Sequence, residues 1–176
     1  MHERCSVGGI RMGKHERPKL ALPKTRFEII FDGLTLCVLL VTLGYLVTTW
    51  KMLPAEVPAH YNIVGEVDRL GSKWEILVTP MIAILMWLGM TVLEKYPHVY
   101  NYLNLRKDNV AVQYLNARLL LHVIKNMFGL LFAYVTWNDI QVALEKSESL
   151  SGYFPFVFLG AIFIPMIFFI ARSLRH

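Results

Sequence analysis

Residues 53–73 read LPAEVPAHYNIVGEVDRLGSK, and a long apolar run lies on each side, at about 28–50 and about 76–94. Pro54 and Pro58 fix their own φ and push Leu53 and Val57 toward extended backbone, so a helix through 53–60 is disfavoured. Gly65 and Gly71 supply turn positions. The segment is a patterned connector between two helices too long and too apolar for a soluble domain. A helix crossing about 30 Å of hydrocarbon needs roughly 20 mostly apolar residues. Four stretches qualify, at about 28–50, 76–94, 119–140 and 153–171. Composition agrees: 55% of residues are hydrophobic and the mean hydropathy is +0.44, against about 45–50% apolar in soluble domains. The expected fold is all-α, an integral membrane four-helix bundle over 27–176, with a structured outer loop between helices 1 and 2. Residues 1–26 are expected to form a basic, disordered cytosolic tail.

Lysine and arginine set the expected orientation. Seven precede the first span (Arg4, Arg11, Lys14, Arg17, Lys19, Lys24, Arg26), and four lie between spans two and three (Lys95, Arg106, Lys107, Arg118). The other two loops are poorer in basic residues or balanced by carboxylates. Both termini are therefore expected in the cytoplasm, with residues 51–75 and 141–152 outside, in a cell membrane. The formal net charge of +5 then reflects topology and attraction to anionic lipid. The tail has no helical periodicity and no nucleic-acid-binding pattern. Cys5 in the tail and Cys37 inside a span suggest neither a disulfide nor a metal site.

Within the outer loop, His60, Tyr61, Asn62, Glu66, Asp68 and Arg69 are the candidate ligand-binding residues. They could bind a headgroup, a peptide or a cation, or they could brace a rigid turn. Their spacing matches no zinc or calcium rule, so no metal or other cofactor is expected. The spans carry a second set. At about 100° per residue, Glu28, Asp32, Thr35 and Thr42 fall on one stripe of the first helix. Arg118, His122, Lys125 and Gly129, with Asn126 at the edge, share a stripe of the third. Ionisable residues in hydrocarbon are costly and usually face the bundle interior. Spans one and three should therefore pack with the acidic stripe on the basic one, with Glu94 able to join. The stripes could form an ion or proton relay or a charge switch that responds to an outside ligand, or simply fix helix register. Tyrosines 96, 100, 102 and 114 with Arg106 and Lys107 suggest a helix on the inner surface over 96–118, N-capped near Asp108 or Asn109, with Asn109, Gln113 and Asn116 on a solvated face. Pro165 should kink the fourth span. No phosphate loop, HExxH, nucleophile elbow or CxxC is present, and no enzyme is expected.

The pattern Leu53-Pro54, then Pro58-x-His60-Tyr61-Asn62, then Gly65-Glu66-x-Asp68, then Gly71-Ser72-Lys73, set between two spans, resembles the bacterial domain-of-unknown-function family 1648 (DUF1648). That family includes membrane immunity proteins of the Sdp type. Tyr96-Pro97-His98-Val99-Tyr100-Asn101-Tyr102, with Asn109 and Gln113-Tyr114, resembles its cytosolic loop. The chain departs from the pattern with Val67 in place of proline and Tyr61 in place of the commoner phenylalanine. The resemblance covers about residues 30–140 and implies membrane architecture more firmly than activity. The expected role is an immunity-like, signalling or accessory membrane protein. Its outer loop would meet an extracellular peptide toxin or lipid, and its inner face a cytosolic regulator. The alternatives are a small transporter or ion pathway through the polar residues of helices 1 and 3, and a structural subunit of a membrane complex. The sequence does not specify the oligomeric state.

Overall fold

The computed structural model describes Gly13 and residues 16–175. Four helices dominate it: α1 (Arg26–Thr49), α2 (Val78–Leu93), α3 (Val110–Ala143) and α4 (Phe154–Leu174). Each is long and apolar enough to cross a membrane, and the protein is a multi-pass membrane protein. α1 starts on a capping box, in which Thr25 Oγ1 accepts from the Glu28 N–H and the Thr25 N–H donates to Glu28 Oε2 at 2.7 Å. Such reciprocal caps satisfy amides that have no partner inside the helix. α4 continues through Pro165.

α3 is the hub, packing against α1, α2, α4 and the segment between α1 and α2. Along α1 the buried residues are Glu28, Thr35, Leu39, Thr42, Leu46 and Thr49. With half-buried Asp32 they alternate by four and three, the spacing of a left-handed helix seam. α3 answers with small side chains, Gly129, Ala133 and Ala143, which let two backbones approach. A β-carbon on Gly129 would lie 2.6 Å from Thr35 Cγ2. α4 leans on α3 through Phe154 and Phe158 against Phe128, Phe132 and Tyr134; most of its surface faces outward.

The all-α expectation needs correction at the loop. β1 (Glu56–Tyr61) and β2 (Val67–Ser72) form an antiparallel hairpin, pairing Glu56 with Ser72 and Tyr61 with Val67 and bulging between Pro58 and Tyr61. Pro58 cannot donate to a ladder, and a bulge on a two-stranded edge is where such a residue fits. Asn62 closes the turn: its Oδ1 accepts from the Val64 and Glu66 amides, each at 3.0 Å. The hairpin sits on a small core of Leu46, Leu53, Val57, Ile76, Ile140 and Ala143. Both ends of the described chain lie at the opposite end of the bundle, where Gln113 meets Ser173.

Three further expectations need correction. No surface helix spans 96–118. A single turn (Pro97–Val99) is followed by irregular chain held by Tyr100 and Tyr102 hydroxyls donating to the Leu93 and Pro97 carbonyls, and α3 then begins at Val110. Gln113 and Asn116 are buried, not solvated, because their amides donate to the Ser173 and Phe169 carbonyls near the end of α4, each at 2.8 Å. The tail expected to be disordered is instead docked over 17–25. Arg17 donates to the His98 and Tyr100 carbonyls, and Arg118 donates to those of Leu22 and Pro23. The remainder of the tail call, residues 1–12, 14 and 15 with Cys5 among them, lies outside the described residues.

Gly65 sits at φ +89°, and its N–H and carbonyl pair with Asn62 O and the Leu150 N–H. A β-carbon there would collide with the Leu150 carbonyl. Gly65→Ala should destabilise the protein by about 1–3 kcal/mol, read as a lowered Tm in detergent.

Candidate functional site

At the end of the bundle that carries the termini, the acidic and basic stripes meet. Lys125 Nζ is 2.9 Å from Asp32 Oδ1 and 2.8 Å from Glu94 Oε1, so one ammonium from α3 bridges carboxylates at α1 and at the end of α2. Thr91 Oγ1 accepts its third bond at 3.0 Å, and the Trp87 ring lies 4.9 Å away. About two turns of α3 nearer the terminal end, Arg118 pairs with Glu28 at 3.1 Å. Lys24, from the docked strap, reaches in to Asp32 at 2.6 Å and Glu94 at 3.3 Å. Three carboxylates therefore face three cations, Lys24, Arg118 and Lys125, and the formal charge cancels.

His122 and Asn126 fill the centre, and their hydrogen-bond directions follow from one donor. Trp87 Nε1 can only donate, and it donates to Asn126 Oδ1 at 3.1 Å. The amide nitrogen of Asn126 must then face the His122 carbonyl (2.9 Å), Asp32 Oδ1 (3.1 Å) and His122 Nε2 (3.2 Å). On its other side His122 directs Nδ1–H to Glu94 Oε1 at 3.0 Å. Asp32, Glu94 and His122 also bring one ligand atom each within 4.8 Å of one another, close enough to hold a metal ion. Lys24 and Lys125 compete for those same oxygens and already balance both carboxylates, so a divalent ion would enter only by displacing them.

The hairpin residues divide by direction. His60 and Asp68 pair across the strands at 2.6 Å on the exposed face. Asn62 Nδ2 donates to Glu66 at 2.9 Å, and Arg69 joins Glu75 at 3.0 Å and donates to the Ala59 carbonyl. These contacts brace the turn. Tyr61 points the other way, into the bundle, where its hydroxyl donates to Asp139 Oδ1 at 2.7 Å. Burial and the neighbouring carboxylate push the Tyr61 hydroxyl well above the ordinary tyrosine range, so it remains a donor. Sequence reasoning missed both Asp139 and Lys24. A carboxylate inside an apolar window was the available sign for Asp139; nothing in the local pattern marked Lys24.

Two spaces flank Tyr61. One, of about 570 Å³, lies between the hairpin tip (His60–Ile63) and Phe154, Phe158 and Leu159 of α4. The other, of about 180 Å³, lies beneath the strands beside Asp139.

Fold and site define a class: a four-span membrane protein with a hairpin cap at one end and a buried ionic cluster at the other. The family described as Domain of unknown function (DUF1648) matches residues 37–84, which hold most of α1, the hairpin and the start of α2. An uncharacterized protein from Archaeoglobus fulgidus is 30% identical, over 74% of this chain and 74% of its own length. The chain carries a DUF1648 domain and belongs to one family with the Archaeoglobus fulgidus protein. No solved structure matches it.

Removing one partner of a fully buried pair strands the other. Lys125→Met should cost about 3–5 kcal/mol, measured by thermal unfolding in detergent, and adding Asp32→Asn should recover part of the loss. For Lys24, burial alone would lower the pKa, but Asp32 and Glu94 outweigh it and hold the ammonium above its ordinary 10.5. Lys24's contribution to the strap's attachment should then be complete from neutral pH up to 10.5 and be lost as pH climbs past the raised folded-state value. Proteolytic susceptibility of residues 17–25, followed against pH, checks this.

Proposed function

We propose that this is an immunity-like membrane protein, related in role to the Sdp-type proteins, whose hairpin end faces outside the cell membrane and binds a membrane-active peptide. The observation that carries this reading is the groove between the hairpin tip and α4. It is lined mainly by apolar groups, Ile63, Leu150, Phe154, Phe158 and Leu159 among them, with the polar edge of His60 and Asn62 beside it. Ile63 is 82% exposed although it is a large apolar residue. An amphipathic peptide lying along a bilayer surface presents the complementary pattern, an apolar face toward the lipid and a polar face toward water. A lipid tail could occupy the same groove, and a peptide fits better because the hairpin offers hydrogen-bonding groups along its rim. The strongly basic segments at 1–26 and 95–118 favour the cytoplasm for the other end. There the docked strap would put a cytosolic regulator in touch with the ionic cluster.

Transport is the second reading, motivated by the carboxylates and histidine of the cluster. A path would have to continue toward the hairpin end, yet the buried α3 positions between Asn126 and Asn138 are Gly129, Ala133 and Thr136. That gap is about 18 Å at 1.5 Å per residue. Thr136 spends its hydroxyl on its own helix, donating to the Phe132 carbonyl at 2.8 Å.

Survival of a sensitive bacterium challenged with a panel of membrane-active peptides tests the proposal. Cells making the protein should survive at least one peptide. Ile63→Asp, which alters only an exposed tip residue, should abolish that protection at equal protein level. Equal survival with and without the protein across the panel would overturn the reading, and pH-driven flux in liposomes lost with Lys125→Met would replace it with transport.

A further inference from the structure

The smaller cavity holds the one carboxylate of the bundle interior that the described residues leave without a cation. Asp139 is 5% exposed and has no Lys, Arg or His nitrogen within 4.0 Å among the described residues. Its only hydrogen bond among the described residues is from the Tyr61 hydroxyl to Oδ1, supported by Asn138 Nδ2 at 3.4 Å from that hydroxyl. The other oxygen has no donor among the described residues. The contrast with the ionic cluster is sharp, since every carboxylate there has a cation within 3.3 Å. Asp139 instead lines the cavity of about 180 Å³ under the strands, with Arg69 and Glu75 on the same wall. Those two neutralise each other at 3.0 Å, so the unmatched charge of the wall is that of Asp139.

We infer that this cavity is a binding site for an alkylammonium group, such as the side chain of a lysine carried by the peptide ligand. The inference deepens the proposed function and rests on it for the identity of the larger ligand. The chemistry selects an ammonium over other cations. Calcium takes six to eight oxygen ligands, and the cavity offers one free carboxylate oxygen with the Tyr61 and Thr79 hydroxyls. A guanidinium is best met by both carboxylate oxygens at once, and Tyr61 already holds Oδ1. An ammonium is a compact charge with three donors and is satisfied by one carboxylate oxygen and nearby hydroxyls. The remaining walls, Pro58, Ala59, Val78 and Val135, suit the methylenes that would follow it. The volume holds several water molecules at about 30 Å³ each, enough for a butyl chain.

The test uses the full chain in detergent or nanodiscs and n-butylammonium as the probe, with n-butanol as the neutral isostere. Saturation-transfer NMR should show saturable binding of butylammonium and none of butanol. Asp139→Asn keeps the Tyr61 hydrogen bond and should weaken binding at least tenfold. Val135→Phe should block the cavity and abolish binding without touching the charge, which keeps the test decisive if the Asn variant does not fold. Absence of saturable binding to folded protein, or binding unchanged in both variants, would overturn the inference. The two proposals also fail separately. Butylammonium binding without protection against any peptide leaves this site standing and removes the peptide reading. Protection that survives Asp139→Asn, with no butylammonium binding, does the reverse.

Discussion

Lys125 cannot be left alone in the interior of this bundle. A buried ammonium must be met by opposite charge and hydrogen-bond acceptors or it will not be tolerated there, and its two carboxylates come from different helices. Satisfying that single group fixes the axial register of α1 and of the end of α2 against α3. Arg118 with Glu28 repeats the same lock about two turns away. Nonspecific apolar contact would let the helices slide, since lipid and leucine are nearly equivalent solvents for a helix face. The ionic cluster does not allow it. With the register set, Gly129 comes opposite Thr35, and the seam between α1 and α3 can close.

The far end is held by a different kind of contact. The hairpin rests on a small hydrophobic core, and it is tied to the bundle by two polar links: Tyr61 to Asp139 on α3, and Gly65 to the backbone of Leu150 before α4. The cap is therefore fastened to α3 and to the α3–α4 connection as well as to its own flanking helices. A ligand wedged between the hairpin tip and α4 would press on the Gly65–Leu150 link directly. One pressing on Asp139 would act on the helix that carries Lys125 at its other end.

Much of this was legible in the chain itself, and the reasons are particular. The four spans follow from length and hydropathy alone. The meeting of Asp32 with Lys125 follows from helical periodicity, because stripes of opposite sign on neighbouring apolar helices have few other ways to be satisfied. The prolines at 54 and 58 excluded a helix, and the strands that replace it pair only because Asn62 turns the chain back, a detail of three hydrogen bonds. Gln113 and Asn116 looked like a wet face because polarity on a helix is ordinarily spent on water. Their partners are carbonyls more than fifty positions away in sequence, which no local pattern reports. Lys24 was unreadable for the same reason: it stands before the helix begins and acts inside the bundle.

The position of Lys24 moves the boundary of the folded unit. Hydropathy draws that boundary at Arg26, where the first helix starts. Electroneutrality draws it earlier, because a chain cut there would retain Asp32 and Glu94 with only Lys125 between them. Arg118 would likewise lose the Leu22 and Pro23 carbonyls that hold its guanidinium. The last stretch of the tail is thus a component of the bundle in every sense except that it is not helical. Any factor that grips the tail from the aqueous side holds one end of a charge whose other contacts lie within the bundle, and can reach the interior without crossing into it.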